Sequence, residues 1–203
     1  MNLMLRILSA VILLPAVLWL IYLGTWPLGI LVSAVLAICF YEYYKMSQGR
    51  DFLGYAYILL GLGSLYFLRE QAGFHWVLLV LIATWSNDTF AYFAGRALGK
   101  HKMAPKISAQ KTWEGFAGGA VGTILMPFVL RGFLGDISNS DILWVCLPCI
   151  ILAPAGDLIE SKIKRIYGTK DSGSLLPGHG GFLDRIDALL LTVPWALLYC
   201  VLR

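Results

Sequence analysis

The chain has 203 residues, 59% of them hydrophobic and only 14% charged, with a mean hydropathy of +0.73 and a formal net charge of +4. A composition this apolar excludes a soluble globular domain, a disordered or collagenous chain and a disulfide scaffold, and leaves a polytopic membrane protein. The apolar runs are too long and too numerous for one water-soluble core, so residues 1–203 read as a single membrane-embedded, all-α domain.

In chain order, seven spans are expected, each near the ~20 residues that cross ~30 Å of hydrocarbon. They run from Leu3 to Tyr22, Pro27 to Tyr44, Phe52 to Leu68, Phe74 to Ala94, Gly115 to Leu134, Ile142 to Glu160 and Leu183 to Leu202. The first apolar run continues through Leu23 without a small-residue cleavage site, which predicts a retained span rather than a cleaved leader. All four cysteines lie in apolar runs. Cys146-Leu-Pro-Cys149 has redox spacing but lacks a second ligand pair, so the thiols are expected to be buried and inert.

Lys and Arg accumulate in cytoplasmic loops. With the N-terminus inside, the inner segments hold Arg6, Lys45, Arg50, Arg96, Lys100, Lys102, Lys106, Lys111, Lys162, Lys164, Arg165, Lys170 and Arg185, thirteen of the sixteen cations, and only Arg69, Arg131 and Arg203 face out. The net positive charge is therefore a property of the inner face, suited to an anionic lipid surface or an anionic substrate, with no nucleic acid implied.

Two inner segments carry unusual chemistry. The first, from Trp85 to Gly115, begins with Asn87 and Asp88 at the edge of a span and ends in Ser108, Lys111, Thr112 and Glu114. Asp88 is costly at that depth, which points to a pairing or functional role, whereas the lysines also fit a solvated basic loop and Glu114 a helix cap. Gly95 to His101 has the wrong spacing for a phosphate-binding P-loop and lacks its hydroxyl.

The second runs from the inner end of the sixth span to the start of the seventh. On a helix, Asp157, Ser161 and Lys164 share one stripe, with Glu160 beside it. Glycines at 168, 173, 178, 180 and 181, with Pro177, then break the helix around His179, which taken alone would usually be structural. Asp184 and Asp187 are expected to open the last span on one helical face, where a solvated helix N-terminus is the bland alternative. With Asp157 at the same depth, three carboxylates amid Lys and Arg suit a hard divalent cation on phosphate oxygens, Mg²⁺ rather than zinc.

Ser161 to Asp187 resembles the signature of the phosphatidate cytidylyltransferases, S-x-x-K-R-x4-K-D-x-G-x2-L-P-x-H-G-G-x-x-D-R-x-D, at every specified position. Asn87-Asp88, Ser108-x-x-Lys111-Thr112-Trp113-Glu114-Gly115 and Gly156-Asp157 are similar to the family's other cytoplasmic motifs. The chain departs from the usual bacterial members by lacking the length of about two spans before Phe74, so residues 1–73 read as a shortened helical lead and residues 74–203 as the catalytic part.

The resemblance implies transfer of CMP from CTP to phosphatidic acid, giving CDP-diacylglycerol and pyrophosphate, at the cytoplasmic face of a bacterial inner membrane. It implies Asp157, Asp184 and Asp187 as ligands for Mg²⁺, with K⁺ as a second cation, and Lys164 and Ser161 as phosphate contacts in the catalytic set. Asp88, Ser108, Lys111, Thr112, Arg165, Lys170, Asp171, His179, Gly180, Gly181 and Arg185 form its substrate-binding set. Membrane lipid is an implied partner, as is a second copy in a homodimer. The competing readings are a CTP-dependent lipid kinase, a cytidylyltransferase for an ether lipid, and an ion transporter, which predicts carboxylates at mid-span rather than at inner ends.

Overall fold

A computed structural model of the protein describes residues 3–173 and 180–203. Each of the seven expected segments forms a helix: α1 Leu3–Leu23, α2 Thr25–Ser47, α3 Phe52–Ala72, α4 Phe74–Leu98, α5 Trp113–Val129, α6 Asn139–Ile166 and α7 Leu189–Leu202. Four of them, α2, α3, α4 and α6, are long and apolar enough to cross a membrane. Their outer faces carry exposed apolar side chains such as Ile30, Leu60 and Ile151, which a soluble protein would bury and a lipid-facing one need not.

The helix ends follow local chemistry. Gly73, at a φ of 96°, ends α3 where a side chain is disfavoured. Asp51 caps α3 by accepting from the amides of Leu53 and Gly54 at 3.0 and 3.4 Å, and Ser138 with Asp141 forms a capping box on α6. Inside the bundle some polar groups pair across helices, which an apolar medium favours: Thr84 with Thr192 at 3.0 Å, and Asn87 donating to the Thr123 hydroxyl at 2.9 Å. The α4–α5 seam is close because α5 presents glycines, and a Cβ on Gly122 would lie 2.6 Å from the Phe90 ring.

Two expectations are corrected. The basic segment after α4 is not a plain loop: β1 (Lys102–Ala104) and β2 (Ser108–Thr112) pair antiparallel as a small hairpin, held to α5 where the His101 amide and ring meet Glu114. The last helix starts at Leu189, so Asp184 and Asp187 do not share one of its faces. Asp184 lies in a 3-10 turn, Leu183–Arg185, and its carboxylate is spent on backbone amides of the preceding loop instead of a helix end.

The connections segregate to two ends. Arg69 donates to the carbonyls of Ile21 and Tyr22, Tyr22 meets Phe74 edge-on, and Arg203 pairs with Asp141, which gathers the turns at residues 24 and 73, the start of α6 and the end of α7 at one end. At the other end lie the C-terminal part of α2, the hairpin and the segment after α6, joined by contacts such as Lys111 with Asp157 and Glu42 with Phe182.

Candidate active site

Every described site residue named above lies at that second end. A cavity of about 530 Å³ is bounded by the C-terminal half of α4, the hairpin, the start of α5 and α6, with Asp88, Arg96, Ser108, Lys111 and Asp157 on its wall. Lys111 reaches from the hairpin to α6, where its ammonium lies 2.8 Å from Asp157 and 3.3 Å from the Pro154 carbonyl. Thr112 also lines the cavity, but it is buried and its hydroxyl accepts from the Gly115 amide at 3.1 Å, which makes it the N-cap of α5.

On α6 the expected stripe divides. Ser161 donates to Asp157 at 3.2 Å, as the four-residue spacing predicts. Lys164 turns away from that pair and places its ammonium between Glu160 at 2.6 Å and Asp184 at 2.5 Å. Glu160 is buried and Asp184 is largely so, and the Lys164 ammonium serves both.

Asp184 accepts three hydrogen bonds from its surroundings. One oxygen takes Lys164, and the other takes the amides of Ser172 at 3.1 Å and Gly181 at 3.0 Å. Burial pushes its carboxyl up, but the bond from Lys164 and those from the amides outweigh it and hold the group below its ordinary value. Asp187 is the opposite case. Burial, then the charge of Asp157, raise it to about 7, with Asp88 adding to the repulsion and the Ala188 amide its nearest compensation. Asp88 and Asp157 thus line the cavity, with Asp187 near enough to feel the charge of both, while Asp184 belongs to the Lys164 network.

The outer members of the set are placed less directly. Arg165 is exposed and donates to the Thr169 carbonyl at 3.1 Å, stabilising the end of α6, and Lys170, Asp171 and Arg185 are also exposed. Gly180 adopts a φ of 80° and Gly181 is buried against Ser172. His179 lies outside the described residues.

Among the described residues no three His, Cys, Asp or Glu side chains are gathered as a metal cluster, and Lys111 and Lys164 pair with Asp157 and Asp184. The donor set nevertheless fits a hard cation: it consists of carboxylate oxygens, and the thiols of Cys39, Cys146 and Cys149 are buried.

Sequence reasoning missed Glu42 of α2, whose carboxylate accepts from the amides of Phe182 and Leu183. The available signal was an ionisable residue inside the apolar run from Pro27 to Tyr44.

Residues 51–203 match the cytidylyltransferase family. Among curated relatives, the phosphatidate cytidylyltransferase of Staphylococcus haemolyticus is 39% identical over 183 residues, that of Staphylococcus saprophyticus 36% over 184, and that of Staphylococcus aureus 37% over 181. In each case the match takes in 84% of this chain and 70% of the relative. Since the family match runs through every site residue described above except Glu42, and the relatives are matched over most of their own length, the chain belongs to the cytidylyltransferase family.

Proposed function

We propose that the protein is a phosphatidate cytidylyltransferase, which transfers CMP from CTP to phosphatidic acid and releases pyrophosphate. An oxygen of the lipid phosphate monoester attacks the α-phosphorus of CTP. The new P–O bond forms as the bond to the bridging α–β oxygen breaks, and that oxygen leaves with pyrophosphate. The barrier comes from negative charge meeting negative charge, so positioning and electrostatics supply most of the acceleration.

The observation that carries this reading is the Lys111–Asp157 pair on the cavity wall, with Ser108 beside it and the Lys164–Asp184 pair behind it. Lys111 and Ser108 suit the triphosphate, Lys164 the charge that develops on transfer, and Ser161 a hydrogen bond to a phosphate oxygen through its hydroxyl. Mg²⁺, with K⁺ as a second cation, would be held by Asp157, Asp184 and Asp187, and when bound it supplies positive charge to the phosphate oxygens. Release of Lys164 from Asp184 would accompany that loading, since one ammonium and one cation compete for the same oxygens.

Phosphatidate keeps its acyl chains in lipid while CTP arrives from water, so the reaction belongs at the interface. Seven spans with the N-terminus inside would put the cation-rich end, and the cavity with it, at the cytoplasmic face of the membrane. The test is pyrophosphate release by purified protein given CTP, Mg²⁺ and phosphatidate. Formation of CDP without pyrophosphate would replace this reading with a lipid kinase, and absence of any turnover would favour an ion transporter.

A further inference from the structure

Glu42 stands in the C-terminal part of α2, outside the segment that matches the family, and is 1% exposed. One of its oxygens accepts the Phe182 amide at 3.0 Å. The other accepts the Leu183 amide at 3.0 Å and the Ser172 hydroxyl at 3.4 Å. Two glycines of the signature leave it room. A Cβ on Gly173 would lie 2.5 Å from Oε1, and one on Gly181 would run into the Ser172 hydroxyl and lie 3.0 Å from Oε2.

The same short stretch is gripped from its other side by Asp184, through the Ser172 and Gly181 amides. Between them the two carboxylates hold the amides of Ser172, Gly181, Phe182 and Leu183, and both bind Ser172, Asp184 through its amide and Glu42 through its hydroxyl. A buried carboxylate is expensive, and a well-packed apolar residue would serve stability at least as well. What Glu42 provides that an apolar residue cannot is a fixed position for two consecutive amides immediately before Asp184.

We propose that Glu42 is a positioning residue for nucleotidyl transfer: by holding the Phe182 and Leu183 amides it sets the Asp184 carboxylate against Lys164. The effect on turnover rests on the function proposed above, and the grip itself does not. It also makes the helices before residue 51 part of the site rather than a membrane anchor alone.

The experiment uses the full chain in lipid nanodiscs, with Glu42→Gln as the main variant. Glutamine keeps the shape but turns an NH₂ group toward one of the two amides. Hydrogen exchange at Phe182 and Leu183 should accelerate by about tenfold while the melting temperature stays within a few degrees. The kcat with CTP should fall by about a hundredfold, as expected for a misplaced reacting group, with the KM for phosphatidate unchanged within about twofold. Gly173→Ala, which displaces the Glu42 carboxylate without altering it, should reproduce the pattern and serves if Glu42→Gln does not fold. Unchanged exchange at both amides, or wild-type kcat in folded Glu42→Gln, would overturn the proposal. If the wild-type protein itself released no pyrophosphate, the function would be wrong, and the exchange rates alone would decide whether Glu42 holds the loop.

Discussion

Lys164 is the side chain on which the most charge depends. It is the shared partner of Glu160, which is 2% exposed, and of Asp184. Replacing it by Met should cost about 3–5 kcal/mol, because two carboxylates would be left buried without their cation. Thermal unfolding in detergent measures this, and adding Glu160→Gln should recover part of the loss, as coupled neighbours do. Asp51, in the turn between α2 and α3, sets a pH dependence. The hydrogen bond from the Tyr43 hydroxyl, with the Gly54 and Leu53 amides, holds its carboxyl below the ordinary range. Its contribution to stability is therefore complete above the unfolded-state value of about 4 and disappears as pH falls through the lower folded-state value. Asp51→Ala should lower the melting temperature at pH 7, by loss of a cap worth about 1 kcal/mol, and narrow the difference from wild type in strong acid. At this scale the sequence disclosed what lies within one helix. Ser161 with Asp157 followed from four-residue spacing, whereas Lys111 with Asp157, and Glu42 with Phe182, join elements far apart in the chain and needed the fold.

At the scale of elements, long apolar runs made all seven helices legible, because a hydrocarbon-sized stretch has few alternatives. The hairpin of Lys102–Ala104 and Ser108–Thr112 was not, since its strands are short and polar and carry no alternating apolar signal. The start of α7 was misplaced because Asp184 and Asp187 suit a helix N-terminus, and only the amides of Ser172 and Gly181 reveal what Asp184 binds instead. The α4–α5 seam connects packing to the site, as α4 carries Asp88 and α5 begins at the end of the hairpin that carries Lys111. Gly122→Leu should force the Phe90 ring aside, cost about 1–3 kcal/mol and lower turnover through Asp88 and Lys111, although neither is near the substitution in sequence. Unfolding and pyrophosphate release measured on one preparation would separate the two effects.

For the molecule as a whole, the segregation of turns to two ends makes sidedness testable. A cysteine replacing exposed Lys170, in a chain with Cys200→Ser, should react with an impermeant maleimide from the cytoplasmic side only, and the buried Cys39, Cys146 and Cys149 should give little background. Labelling from outside would invert the proposed topology. The Lys111–Asp157 pair has a further consequence. In the free protein each is the other's counter-ion, so an anion that takes Lys111 strands Asp157, and a cation that takes Asp157 strands Lys111. Nucleotide and metal should therefore bind as a mutually reinforcing couple: CTP tightens Mg²⁺ by the same factor that Mg²⁺ tightens CTP. Titrations of each ligand with and without the other measure that factor, and Lys111→Met should bring it closer to one.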